Sequence, residues 1–293
     1  MFSIPGVIRI EDDAQGLSRF QITNAFAEAE VYLLGAQVTR FKPTGEEPVL
    51  WLSPLSAFER GKAIRGGIPL CWPWFGPHPS RKDLPAHGLA RTRVWTPLDT
   101  AQLSDGRTRL RLELKDDSET RAAWPHSFVL TLTVTVGKAL ELELTTTNCG
   151  VEPFSYADAL HTYLSVADLG QTRVEGLEGD PFVHSTRGHR GVQSGPVVFQ
   201  GEVNHIFVPN RRSVHAVDVA RKRRIEVTKS GSDATVVWNP GAEGGSAVKD
   251  IGGHSSEFIC IEAANCADRR IVLLQGSSHT TGQTIVIADT TQG

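Results

Sequence analysis

The sequence predicts an all-β protein: a large antiparallel β-sandwich with a few short helices. Two observations carry that expectation. Apolar residues recur at every second position over much of the chain, the mark of strands with one buried face. Turn residues punctuate nearly its whole length, with little helical periodicity between them. The clearest strands are "RLRLELK" (109–115), "FVLTLTVTV" (128–136) and "LELELTTTN" (140–148), the last two joined through "GKA" as a hairpin. Shorter strands are expected at 29–34, 213–219, 224–228, 234–238, 257–263 and 284–287. The segment "SPLSAFERGKA" (53–63) is expected to form one or two helical turns, capped by Ser53 with Pro54 at the first helical position. No linker, charge block, low-complexity run or internal repeat divides the chain, so residues 1–293 are read as one domain.

Composition narrows the function classes. A formal charge of −3, from 30 basic and 33 acidic side chains, gives no global field for nucleic acid or an anionic membrane. An anionic ligand must therefore be held by a few placed arginines. No apolar stretch reaches transmembrane length, since threonines interrupt even "FVLTLTVTV". The beginning "MFSIPGVIRIEDD" has neither the basic region nor the apolar run of a signal peptide. Cys71, Cys149, Cys260 and Cys266 show no metal-binding spacing. Reduced thiols in a cytoplasmic protein are the expectation.

The segment from Arg65 to Arg91, "RGGIPLCWPWFGPHPSRKDLPAHGLAR", is far longer than a tight turn, and such loops are usually functional or disordered. Trp72, Trp74 and Phe75 would bury large areas on ordering, and the prolines reduce what is lost in fixing the chain. Two readings remain: an ordered cover over one end of the sandwich, or a binding surface. In the second, the aromatics stack on a sugar ring or wall off a pocket, and Arg65, His87 and Arg91 supply polar contacts. Two arginines at the ends of one loop suit bidentate recognition of a phosphate.

"RGGIPLCWPWFG" followed by "PAHGLAR" resembles the signature loop of the glucose-6-phosphate 1-epimerase (hexose-6-phosphate mutarotase) family, within the galactose mutarotase-like superfamily. "YADALHTYLSV" (156–166), "VEGLEG" (174–179), "VVWNPG" (236–241) and "FICIEAAN" (258–265) follow in the same order. The similarity runs from about Ala29 to the end. It implies a β-sandwich that interconverts the α and β anomers of a phosphorylated aldose, with a small sugar phosphate as its partner. The chemistry is a proton shuttle and needs no metal or organic cofactor. One group takes the proton of the anomeric hydroxyl while another delivers a proton to the ring oxygen. Matching motifs imply Glu262 as the base and His161 as the acid. They also imply Arg65 and Arg91 as the phosphate seat and His87 as a substrate hydrogen-bonder.

The residues themselves allow this without requiring it. His161 shares a strand face with Tyr163, which suits a site or a solvent face. Glu262 follows an apolar run, where a carboxylate either emerges at a strand end or is buried with a raised pKa. The basic run "ARKRR" (220–224) is read as a solvated strand end or turn. Several positions depart from the family: Asn204 in "EVN" and His184 in "DPFVHS" stand where it carries aspartates, and "AEGGSAVKDIGGH" and "RGHRGVQSG" are atypical. Asn204 is retained as a sugar contact. These departures leave the preferred sugar open. The rivals are a mutarotase for another aldose or sugar phosphate, and a non-catalytic carbohydrate-binding module. Oligomeric state is not readable.

Overall fold

The structure, a computed structural model, describes residues 2–288. Two large antiparallel sheets form the sandwich. The nine-stranded sheet runs, in spatial order, Val197–Val198, Thr172–Glu175, Val214–Asp218, Arg223–Ser230, Ser278–Ala288, Leu140–Asn148, Phe128–Val136, Thr108–Lys115 and Thr96–Gln102. The eight-stranded sheet runs Arg190–Val192, Pro181–His184, Val203–Phe207, Ala234–Asn239, Phe258–Asn265, Asp158–Leu160 and Leu70–Cys71, with Tyr163–Ser165 also paired to Phe258–Asn265. A four-stranded meander, Ile8–Asp12 to Val38–Pro43, leads the chain. A two-stranded ribbon pairs Phe154–Tyr156 with Ile271–Leu273.

The alternating strands form where the pattern places them. Leu110, Leu112, Leu130, Leu132, Leu142 and Leu144 all point into the main core, and the Phe128–Val136 and Leu140–Asn148 strands pair in full register. The expected strand at 284–287 is the tail of an eleven-residue strand, Ser278–Ala288. The 257–263 strand runs instead from Phe258 to Asn265 and is buried at all eight positions. Its odd-numbered Ile259, Ile261 and Ala263 join the main core. Its even-numbered Phe258, Cys260 and Ala264 belong to separate clusters on the outer face. Loops cover that outer face.

The helix expected at 53–63 does not form. Ser53 Oγ accepts from Leu55 N–H at 3.1 Å and donates to Asp250 O at 2.6 Å. The hydroxyl thus closes a tight turn and ties it to a distant loop rather than starting a helix. Phe58 at φ 42° and Gly61 at φ 80° then reverse the chain. Helices occur instead at Ser118–Ala123, with a capping box between Asp117 and Thr120, and at Gly241–Ala247. No helix among the described residues is long and apolar enough to cross a membrane.

Polar ties cross the sandwich just behind the outer face. Thr162 Oγ1 donates to Gln283 Oε1, and Gln283 Nε2 donates to Ile261 O at 3.2 Å. Thr281 Oγ1 and Asn265 Nδ2 donate to the two oxygens of Asp158 at 2.6 and 3.0 Å. Asp158 is fully buried, and burial raises its pKa against those two bonds. These ties satisfy the buried polar groups and join the strands carrying His161 and Glu262 to the opposite sheet.

Candidate active site

A cleft of about 330 Å³ opens on the outer face of the eight-stranded sheet. His161 and Glu262 line its floor. Leu160 pairs with Ala263 and Tyr163 with Cys260, so the register is the same on both sides of a short break at His161 and Thr162. That register sets His161 opposite Glu262, side chains on one face, with Nε2 3.3 Å from Oε1. Val236, on the next strand, pairs with Glu262 on the same face.

The pair is nearly shut off from water, His161 being 6% and Glu262 1% exposed. Burial pushes the Glu262 carboxyl well above its ordinary range, opposed by the Arg91 charge. Burial, with His87, Arg91 and Arg65 nearby, holds the His161 imidazole well below its own. Both directions favour the uncharged form of each group. Glu262 Oε2 and His161 Nδ1 are buried without a protein partner. Buried polar atoms left so are rare and call for an explanation.

The long loop builds the walls. Gly67 at φ 61° and Gly88 at φ 79° let it press against neighbouring backbone; a Cβ there would lie 2.2 Å from Val38 O and 1.9 Å from Trp72 O. Trp72 is fully buried, with ring centroids 4.9 Å from Trp124 and 4.4 Å from Phe128. The cover and the binding surface are thus one object, its tryptophans facing the core and its polar residues facing the cleft.

Arg65, Arg91 and His87 line the cleft together, and Asn204 joins them from the Val203–Phe207 strand. Arg65 Nη1 donates to Tyr163 Oη at 2.9 Å and Arg91 Nη2 to Ala86 O at 2.8 Å. His87 sits at φ 64°. Its Nδ1 accepts from Gly76 N–H at 3.4 Å, which assigns the ring proton to Nε2. Burial, then Arg91 and Arg65, lower its pKa to about 3, so it is neutral.

Trp74 corrects one expectation, because it does not line the cleft. Its indole is buried, Nε1 donates to Pro85 O at 3.0 Å, and the ring abuts His78. It braces the loop from inside. The aromatic walls are Phe75 and Trp238. Trp238 went unassigned because alternation does not say which face of a doubly buried strand carries a site, although its pairing with Asn204 and Cys260 places it there.

His184 does not line the cleft either. Its Nδ1 accepts from Arg187 N–H at 3.3 Å, and it packs with His189 and His205. The following Ser185 and Thr186 reach the cleft instead. The basic run is not simply solvated. Arg223 is 5% exposed and donates to Glu47 O, Pro48 O and Ser165 O at 3.3, 3.2 and 2.7 Å. Arg224 binds Glu175 at 2.6 Å. These guanidiniums are spent on the fold. The four cysteines are free thiols. Among the described residues, no group of three or more His, Cys, Asp or Glu side chains is arranged to hold a metal ion.

An antiparallel sandwich with a buried imidazole–carboxyl pair under an arginine-lined rim is equipped for proton transfer on a small polar ring. The chain matches the aldose 1-epimerase family over residues 18–285 and belongs to it. It is an enzyme of the epimerase kind, whose family acts on small sugars. Among its relatives is a protein of Escherichia coli K12 named "Putative glucose-6-phosphate 1-epimerase", 35% identical over 256 residues that cover 86% of this chain and 84% of that one. A protein of the same name from Cenchrus ciliaris is 35% identical over 263 residues, covering 85% and 78%. A crystal structure of a "putative mutarotase" from Salmonella typhimurium superposes with a TM-score of 0.91 at 30% identity, covering 99% of this chain and 96% of that one.

Proposed function

We propose that this protein is a hexose-6-phosphate mutarotase, a glucose-6-phosphate 1-epimerase that interconverts α and β anomers. The observation that carries the reading is the His161–Glu262 pair, 3.3 Å apart in a buried floor, beneath a rim holding Arg65 and Arg91. Ring opening begins as the pair's one proton passes from Glu262 to His161 on sugar binding, leaving the carboxylate free to act as base. Glu262 takes the proton of the anomeric hydroxyl as the C1–O5 bond breaks, and His161 gives its own to O5. The open-chain aldehyde then faces a neutral imidazole and a protonated carboxyl. Rotation about C1–C2 presents the other carbonyl face. His161 recovers the proton of O5 as O5 attacks C1, and Glu262 returns its proton to O1. The pair ends as it began.

Substrate binding supplies partners for Glu262 Oε2 and His161 Nδ1, which have none in the protein. Arg65 and Arg91 seat the phosphate, and His87 Nε2–H and the Asn204 amide read sugar hydroxyls. Free thiols throughout suit a cytoplasmic enzyme of hexose phosphates. The test is anomer exchange followed by magnetisation-transfer NMR on glucose 6-phosphate and on glucose. Faster exchange of the phosphorylated sugar, with KM raised about tenfold or more in Arg91→Lys as bidentate contact is lost, is the expected result. Equal action on both sugars, unaltered in that variant, would favour an unphosphorylated aldose. Binding without faster exchange would make the protein a carbohydrate-binding module.

A further inference from the structure

The Arg65 guanidinium is gripped by one ion pair and one hydrogen bond. Nε lies 3.1 Å from Asp250 Oδ2, an ion-pair contact without hydrogen-bond alignment, and Nη1 donates to Tyr163 Oη at 2.9 Å. Its backbone N–H is fixed as well, donating to Ser56 Oγ at 2.9 Å. Burial acts to lower the Arg65 pKa, but Tyr163 and Asp250 outweigh it. A guanidinium held between a carboxylate and a phenol offers its remaining donors in a restricted plane, which costs less entropy on binding an anion than a free side chain does.

Both anchors are themselves well supported. The Asp250 carbonyl accepts from Ser53 Oγ at 2.6 Å. The next residue, Ile251, is fully buried in a cluster with Trp51, Tyr163 and Phe258. Tyr163 is 1% exposed. Its ring stacks on the His161 imidazole, centroids 4.9 Å apart and planes 11° from parallel. One side chain therefore touches both the anion-facing arginine and the proton-transfer histidine.

Building on the reading above, we propose that Asp250 and Tyr163 are positioning residues. Asp250 sets the plane of Arg65 toward the substrate's anionic group, and Tyr163 ties that plane to the ring of His161. Selection for a phosphorylated sugar thus depends on two residues outside the cleft lining. The segment carrying Asp250, 242–254, departs from the family pattern, yet it delivers a carboxylate to this arginine.

The test compares wild type, Asp250→Asn, Asp250→Glu and Tyr163→Phe for exchange of glucose 6-phosphate and of glucose, with thermal melts as a check on folding. The expected result is a ratio of kcat/KM, phosphorylated over unphosphorylated sugar, lowered about tenfold in Asp250→Asn and in Tyr163→Phe. The loss should appear mainly in KM for glucose 6-phosphate. Asp250→Glu should recover part of it. A ratio within twofold of wild type in both Asp250→Asn and Tyr163→Phe, or a loss shared equally by the two sugars, overturns the inference while leaving the mutarotase reading intact. No acceleration by wild type on glucose 6-phosphate overturns that reading, and the inference with it.

Discussion

His161 Nε2 lies 3.3 Å from Glu262 Oε1, His161 standing in the short break between two strand segments that both pair antiparallel with the strand carrying Glu262. A contact of that length between two almost fully buried groups makes their protonation a joint property.

Removing either member should therefore stop the reaction. Glu262→Gln and His161→Ala are each expected to lower kcat at least ~100-fold. The double variant should be little worse than the singles, because the residues act as a unit. Magnetisation-transfer rates with glucose 6-phosphate measure this, and multiplicative losses would show independent roles.

Glu262→Gln carries a second, opposite expectation, on stability. The folded-state pKa of Glu262 lies well above its ordinary 4.5 because of burial. As pH rises past the unfolded value, the unfolded chain releases this proton first, so wild type loses stability until the folded pKa is reached. Glutamine has no proton to lose. The variant should melt above wild type by a margin that widens from pH 4.5 upward, and a constant margin across that range would contradict the assignment.

His87 acts in the other direction. Its folded pKa is lowered from 6.5 to about 3, chiefly by burial. Between those values the unfolded chain binds a proton that the folded state refuses, so stability falls as pH drops from 6.5 toward 3. His87→Asn, whose side chain tolerates the left-handed φ of 64°, should flatten that slope by up to about 1.4 kcal/mol per pH unit. Melts at intervals from pH 7 to pH 4 decide it, and parallel curves would count against a neutral imidazole in the folded state.

Gly88→Ala tests the loop. The new Cβ would fall 1.9 Å from Trp72 O, so the backbone carrying His87 and Arg91 must move. A displacement near 1 Å is expected to cost about 100-fold in kcat/KM. Gly16→Ala is the comparison, since Gly16 has a similar φ of 76° with nothing within 4 Å of its Cβ position. It should cost stability through backbone strain but leave the rate alone.

Arg223→Met tests the buried clamp. The substitution leaves three carbonyls unserved and removes the second of two cations beside the fully buried Asp218, which keeps Arg221 at 3.2 Å. A loss of about 3–5 kcal/mol of stability is expected, read from denaturant unfolding, with little change in KM for the folded fraction. A loss below 1 kcal/mol would mean that water replaces the guanidinium.

How much of this was legible depends on distance along the chain. Where neighbours in sequence are neighbours in the sheet, as from Phe128 to Asn148, alternation located strands, face and hairpin. Two-residue strands such as Leu70–Cys71 and Val197–Val198 contain no periodicity to read. The segment 53–63 failed as a helix because Ser53 bonds to Asp250, a partner no local pattern announces. At the site, the strand face shared by His161 and Tyr163 was readable, whereas the pairing of His161 with Glu262 is a matter of register between strands about a hundred residues apart. The burial of Glu262 in mid-strand, and the outward turn of Trp238 rather than Trp74, likewise depend on what covers the outer face.

One register holds on both sides of the short break at His161 and Thr162. The groups proposed to move protons belong to the sheet, where a one-residue slip of either strand would turn that strand's member toward the sandwich interior and break the pair. The groups proposed to recognise the sugar belong to the rim: the long loop, the Ser185–Thr186 turn and the segment bearing Asp250. Exchanging rim segments should therefore change which sugar enters while leaving the reaction performed on it untouched, so that diet and chemistry are inherited separately.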